Sequence, residues 1–400
     1  MRKKKIVIVG GGASGLMCAC KLIENGADAE ITILEQLEDV GRKLLATGNG
    51  RCNITNLHAD TQGYFGDVQL AEKVIKKFSV KNVLDVFFSM GLECTSDDEG
   101  RFYPASFQAQ SVLLILKNRC ETGGVNIVTN CTVNSAAKQD DLFKIKTDKG
   151  DFVCDFLVLA CGGLSNKGLG STGIGYELAK GFGHKKTDCF PGLVQLKSSS
   201  KYPKKLKGTR VKAKLTIEID DKKAASSKGE ILFTDYGISG ICTMQLSRYV
   251  SEALNQDPMR HCAALIDLIP SKSEQETVEY LTALKAKCFT DNILLAGLLP
   301  IKLAEIISVQ AGGNIELMAK IAKNWKLIIT DTLGFQNSQV TCGGIDTKDI
   351  DENMMSSKAE NLFITGEMIN VDGDCGGYNL QWAWASACVA ANEITKRLNK

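Results

Sequence analysis

The sequence predicts an α/β protein, a parallel sheet covered by helices and interrupted by a long insert. Three observations predict it: a strand–helix–strand pattern opens the chain, a strand–helix pattern closes it, and the stretch between them changes character. Elements that alternate in this way build parallel sheets.

Ile6-Val7-Ile8-Val9 is a short β-branched run ending at Gly10, as a buried parallel strand should be. A helix over Ala13 to Asn25 follows, with Leu16, Ala19, Cys20 and Ile23 at helical spacing and Gly26 placed to stop it. Ile31 to Leu34 completes a βαβ unit. From 125 to 160 the chain reads as a β-meander or hairpin: Val125 to Val133, Leu142 to Thr147 and Phe152 to Ala160. After Pro191-Gly192, Val211 to Ile219 alternates apolar with polar residues, the mark of an antiparallel strand with one wet face. Ser273 and Glu276 form a capping box ahead of Val278, Leu281, Leu284 and Cys288, and Ile301 to Val309 and Ile315 to Trp325 are expected as short helices. Asn361 to Thr365 is again a buried strand, and Asn379 to Leu398 a long helix. The expected division is therefore 1–190 with 339–400 as one discontinuous domain and 191–338 as the insert, mainly β over 191–250 and mainly helical over 251–338.

The chain has 400 residues, 44% hydrophobic and 24% charged, a globular composition large enough for two or three cores. Forty-eight Lys and Arg against 46 Asp and Glu leave +2, so no global field favours nucleic acid or an anionic membrane, although a local basic patch is compatible with that total. Fifteen scattered cysteines without a CxxC pair, and only three histidines, predict a reduced, cytoplasmic chain without a zinc site. The basic start Met1 to Lys5 imitates a signal peptide, but glycines 10 to 12 interrupt the apolar run, so this segment is expected to be a solvated tail before the first strand.

Gly10, Gly12 and Gly15 make a GxGxxG at the strand–helix junction, and Glu35 closes the second strand. Gly10 suits the tight turn, Gly12 lets a pyrophosphate approach the backbone, and Gly15 lets the helix pack close to the sheet. The amides of Ala13 and Ser14 and the positive helix end would hold the phosphates, while Glu35 accepts hydrogen bonds from a ribose and repels a 2′-phosphate. This pattern suits FAD or NAD. A second GxGxxG, Gly168, Gly170 and Gly173, starts too far beyond its preceding strand to mark another nucleotide domain, and Gly168 to Gly175 is expected to be a flexible loop. At the other end, Gly366-Glu367 and Asp372 to Asn379 lead into the last helix. Two glycine-rich junctions on one sheet suit a long extended ligand, with Glu367 placed to bond a polyol and the Asn379 helix end to face a ring that becomes anionic, as flavin does. Trp382 and Trp384 are expected to be core residues.

Gly10 to Gly15, Gly41-Arg42-Lys43-Leu44-Leu45-Ala46-Thr47-Gly48-Asn49-Gly50-Arg51-Cys52-Asn53 and Asp372 to Ala383 together resemble the aminoacetone oxidase and BaiN-like family of FAD-binding proteins. Gly100 to Pro104, Ala160 to Gly163, Gly170 to Gly173 and Phe233 to Gly240 sit in the same order, so the resemblance spans the chain. It implies a glutathione-reductase-like FAD domain interrupted by a β-barrel-like and helical insert that walls the substrate pocket. It further implies FAD contacts at Arg42, Lys43, Gly48, Asn53, Val133, Gly162, Glu367, Asp372, Gly373, Asn379 and Leu380. Two departures stand out: Asp235 follows Thr234 where the family has His, and Ile241-Cys242 replaces a Pro-containing continuation.

Flavin supplies redox chemistry itself, so the lack of a catalytic triad or metal cluster does not argue against an enzyme. Cys52 stands alone, which disfavours a disulfide reductase, and both it and Cys375 read more simply as small loop residues than as redox groups. The preferred function is a FAD-dependent oxidoreductase that takes hydride from transiently bound NAD(P)H and gives it to a conjugated C=C of a small enone, steroid-like or bile-acid-like, as the resemblance suggests. Tyr103, Tyr236 or Tyr378 are candidate acids, each with a packing role as the alternative. The other readings are an oxidase of a small amine such as aminoacetone, and a flavin-binding electron carrier or RNA-associated module. Near-neutral net charge counts against RNA.

Overall fold

The computed structural model describes residues 2–60, 62–287 and 289–400, without the side chain of Asn292. It forms two compact units, Met1–Cys189 with Val340–Lys400, and Phe190–Gln339.

In the first unit a five-stranded parallel sheet runs in the order Leu362–Ile364, Phe156–Leu159, Lys4–Val9, Ala29–Leu34, Asn126–Val128. The first strand of the chain thus lies in the middle, with the next strand of the βαβ unit, Ala29–Leu34, on one side and the much later Phe156–Leu159 on the other. Such a switch point opens a crevice at the carboxyl ends of the strands, where ligands bind in open α/β sheets. The opening helix Ala13–Glu24 and the C-terminal helix Tyr378–Leu398 pack against each other. Trp382 and Trp384 are fully buried, as their sequence setting predicts; their indole N–H groups donate to Gly366 O (3.0 Å) and Ile54 O (2.9 Å).

Val125 to Val133 is not one strand: Asn126–Val128 joins the parallel sheet and Val133–Gln139 begins a three-stranded antiparallel meander, with Asn130 at φ 49° between them. Phe152 to Ala160 is likewise divided. Gly150–Cys154 ends the meander, and Phe156–Leu159 enters the parallel sheet. Asp155 sits at the break. Its buried carboxylate accepts from Lys5 N–H (2.9 Å), Lys4 Nζ (3.0 Å) and Arg2 (2.8 Å). Arg2 and Lys4 pair with this acid while staying exposed, so the basic start is solvated, but Lys4 and Lys5 already belong to the first strand rather than to a tail before it. Met1 lies outside the described residues.

The second unit contains a closed barrel of six strands in the order Leu196–Ser198, Gly237–Ser239, Lys222–Phe233, Arg210–Ile219, Cys262–Asp267, Trp325–Thr332. The stretch 251–338 holds the helices Glu274–Lys285, Ile301–Ala311 and Ile315–Lys323 and also supplies two of the barrel strands. A helix, Ile241–Gln256, also starts inside the half expected to be β. Cys262–Asp267 lacks alternation because most of it is buried, and Trp325 opens a strand rather than ending a helix because Asn324 leaves helical geometry at φ −148°. The capping box forms: Ser273 Oγ accepts from Glu276 N–H (3.2 Å), and the Glu276 carboxylate accepts from Ser273 N–H (2.6 Å). Cys288, expected in the same pattern, lies outside the described residues. Among the described residues no helix is long and apolar enough to cross a membrane.

Burial opposes ionisation of Asp155, but the Lys5 amide, Lys4 and Arg2 outweigh it and hold the carboxyl below the usual carboxylate range. A carboxyl lowered in the fold stabilises above its unfolded pKa, and that stability disappears as pH falls through the folded value. Asp155→Asn should cost about 1–2 kcal/mol near neutral pH, discounted because Arg2 and Lys4 are half exposed. The loss should shrink in acid, and thermal unfolding of both proteins between pH 7 and 3 checks this; a pH-independent difference refutes it.

Candidate flavin site

The glycine-rich junction is built on close backbone approach. Gly10 has φ 107°, and a Cβ there would lie 2.4 Å from Ala160 O. A Cβ on Gly15 would lie 1.9 Å from Gly10 O, so the opening helix is pressed against the turn that precedes it. Gly12 is different: a Cβ there meets nothing within 4 Å. Gly12 also begins the helix without a side-chain cap, and its carbonyl accepts from Leu16 N–H (3.0 Å). The amides around Ala13 and Ser14 thus end in a cradle that an anion fits.

Glu35 is buried beside this turn and accepts from Gly11 N–H (2.8 Å) and Leu37 N–H (2.9 Å). Burial raises its pKa, against the pull of those amides. Cys131 N–H donates to Glu35 O (2.9 Å), which brings the segment leading to Val133 alongside; Val133 itself is buried.

The second junction meets the first. A Cβ on Gly366 (φ 71°) would lie 3.0 Å from Ser14 Cβ, and Ser14 Oγ donates to Thr365 Oγ1 (2.8 Å). Glu367 is held by Lys43 Nζ (2.7 Å) and Thr341 N–H (2.9 Å), with Gly162 and Gly163 against it. Gly41 N–H donates to Gly11 O (2.8 Å), docking the loop that carries Arg42, Lys43 and Gly48 onto the same turn. Arg42 itself reaches outward to Glu38. Asn379 accepts from Gly373 N–H (2.9 Å) and donates to Gly373 O (2.8 Å), tying the start of the C-terminal helix to the Asp372-Gly373 strand; Asp372 is buried and Leu380 half-buried. Of the expected residues, Gly10 to Gly15, Glu35, Lys43, Gly162 and Glu367 are linked by these contacts, whereas Arg42 turns away to Glu38.

Gly48, Asn49 and Cys52 all have positive φ, so the segment between Thr47 and Asn53 is a left-handed loop. Within it Asn53 Oδ1 is buried with no hydrogen-bond partner among the described residues. An orphaned buried acceptor beside an open cradle suits a donor from a bound cofactor. Cys52 is buried, and burial pushes its thiol to about 12; burial also pushes Cys375 to about 11. Neither is a thiolate at neutral pH, so neither is an activated nucleophile.

Tyr103 lies against the Gly48 and Asn53 loop with the Arg51 guanidinium 5.3 Å over its ring, and burial raises its phenol. Tyr378 packs edge-on to Tyr64 at 5.7 Å, and burial raises it as well. Tyr236 belongs to the other unit. There Asp235 is exposed and pairs with Lys207 (2.7 Å), and the Cys242 thiol is buried and donates to Glu230 O (3.4 Å). Gly168 to Gly175 keeps a turn over Gly170 to Gly173 between two helical pieces. These are a 3-10 turn and the helix Ile174–Gly181, and the turn between them is fixed by Gln36 Nε2 donating to Gly170 O (2.6 Å). Arg51 and Thr341 were missed by sequence reasoning; the adjacency of Arg51 to Cys52-Asn53 was a usable signal, whereas nothing local marks Thr341.

These contacts separate two glycines. Gly12→Val should leave the melting temperature of the flavin-free protein nearly unchanged but yield colourless protein, since the new side chain fills only the cradle. Gly15→Ala should instead destabilise the fold by about 2 kcal/mol or more, seen as a lower melting temperature, because its Cβ meets backbone. A yellow, fully loaded Gly12→Val would refute the phosphate assignment.

The chain is 36% identical to a 3-dehydro-bile acid delta(4,6)-reductase of Clostridium scindens, over 98% of this chain and 99% of that one. It is 29% identical to a ribosomal RNA dihydrouridine synthase of Haemophilus influenzae, over 98% of each. Among solved structures, the 3-ketosteroid delta1-dehydrogenase of Sterolibacterium denitrificans shares the fold with a TM-score of 0.56 at 11% identity, over 99% of this chain and 100% of that one. The family described as the HI0933-like protein Rossmann domain matches residues 4–393, so the chain belongs to that family and is a FAD-dependent oxidoreductase.

Proposed function

We propose that the protein reduces a carbon–carbon double bond conjugated to a carbonyl, with transiently bound NAD(P)H as the hydride donor to FAD. One observation carries this reading: two relatives that each match almost the whole chain are named for different substrates that share this bond. A 4,6-unsaturated 3-oxo bile acid and the uracil ring both have C=C conjugated to C=O, and dihydrouridine is uridine with that bond reduced. The greater identity to the bile-acid reductase favours a small enone. Bound FAD supplies the hydride-transferring centre.

The chain's own residues would do the rest. The uncapped helix start at Gly12, Ala13 and Ser14 holds the phosphates, Glu35 the ribose, and Glu367, steadied by Lys43, the polyol. Asn53 offers its orphaned oxygen to a donor, and the start of the Asn379 helix offers positive potential to an anionic ring. After hydride reaches one carbon, a proton must reach the other. Tyr103 is our first choice, because burial keeps its phenol protonated and the Arg51 cation over its ring can stabilise the phenolate left behind. Tyr378 is the second.

A second reading, uridine in RNA, is favoured by one feature. Eleven Lys and Arg face three acids between residues 197 and 228, so the near-neutral total charge conceals a strongly basic segment.

Anaerobic mixing with NADH, NADPH or aminoacetone, read by bleaching of the flavin band, is the test. A nicotinamide should bleach the protein and a conjugated enone should then restore its colour, whereas bleaching by the amine alone overturns the proposal in favour of an oxidase. Tyr103→Phe should slow the enone step by about a hundredfold or more while the nicotinamide step is unchanged. Equal loss in both steps would assign Tyr103 to positioning.

A further inference from the structure

We propose that the outward face of the lysine-rich hairpin in the barrel, Arg210–Ile219 with Lys222–Phe233, is a docking surface for the phosphate backbone of RNA. This rests on the reading of RNA uridine as the substrate and adds the place where that RNA is held.

The ladder fixes which residues share the face. Val211 opposite Ile231 points into the barrel, so Lys212 opposite Glu230, Lys214 opposite Lys228 and Thr216 opposite Ser226 point out. Lys214 and Lys228 are direct cross-strand partners of like charge, an arrangement that costs stability unless an anion lies over it. On its other side Lys214 neighbours Asp267, but that carboxylate is engaged by Lys323 (2.8 Å). The remaining acids nearby are also matched: Glu230 pairs with Arg210, and Glu218 and Asp221 lie beside Lys326. Lys212, Lys214 and Lys228 enter no ion pair among the described residues. The exposed Lys204 and Lys205 lie just before the hairpin, in the short helix Tyr202–Lys205, and Lys207 pairs with Asp235.

Lysines also guard open sheet edges, and before Leu232 the strand Lys222–Phe233 has no ladder partner on that side among the described residues. That account covers Lys228 but not Lys214, whose strand is paired on both sides. A lipid surface fits less well. Threonine and serine lie between the lysines, and the face lacks the apolar residues that insert into a bilayer interface. A flexible polyphosphate chain fits both the spacing of the charges and their polar setting.

The test uses the full-length flavin-loaded protein and a fluorescein-labelled, uridine-containing RNA stem-loop, with binding read by anisotropy over a range of salt. The triple variant Lys212→Glu, Lys214→Glu, Lys228→Glu should bind at least about tenfold more weakly at low salt, and the slope of log K against log salt should flatten by about 2–3, close to one unit per lost phosphate contact. The milder triple change to Gln should fall between, and unchanged flavin absorbance and melting temperature show that both variants are folded. Equal RNA affinity for wild type and both variants overturns the proposal, as does absence of RNA binding by the wild type. Binding of phosphatidylserine vesicles, lost in the variants while RNA binding is not, also overturns it. Reduction by nicotinamide and turnover of a small enone are measured on the same samples. Failure of the surface with intact enone turnover, and loss of RNA binding without any flavin reduction, are therefore separate results.

Discussion

The contact on which the rest of the flavin site depends is the one between Gly15 and the carbonyl of Gly10. Because no Cβ stands between them, the opening helix sits directly over the carboxyl end of the central strand, with its uncapped first turn facing the crevice. Gly366 repeats the device from the other end of the chain by pressing against Ser14. The loop at Gly41 then docks on Gly11, and Lys43 reaches Glu367. Each later contact presupposes the first, since moving the helix outward by the radius of a methyl group would separate both junctions.

The same sheet explains why residues so distant in sequence converge. A parallel sheet with its first strand in the middle places strands from residues 4, 29, 126, 156 and 362 side by side, and all their carboxyl ends point one way. Glycines, acids and amides that follow those strands must share one rim. Asp155 shows how firmly the arrangement is specified: a single buried carboxylate ends the meander, starts a central strand and captures the basic residues at the head of the first strand.

Reaction chemistry and substrate choice draw on different parts of the chain. In the first unit burial raises the Cys52 thiol and the Tyr103 phenol, so both keep their protons. The second unit carries the uneven charge. Its hairpin concentrates lysines that the whole-chain sum hides, because the rest of the chain carries a compensating excess of acid. Net charge describes the far field of a protein, whereas a phosphate backbone within contact distance feels only the nearest few side chains.

The sequence by itself determined the βαβ opening, the tight glycine turn, the capping box and the buried tryptophans, because each rests on local spacing that no distant contact overrides. Gly12 and Glu35 were legible for that reason. Tertiary structure alone decided that Phe152 to Ala160 divides at Asp155, that Cys262–Asp267 is a barrel strand, and that Thr341 steadies Glu367. Fully buried strands lose their alternation, and a break imposed by a buried ion pair leaves no periodic trace in the residues around it. Only the ladder revealed that Lys214 and Lys228 are neighbours, because a register is a relation between two strands and neither one encodes it alone.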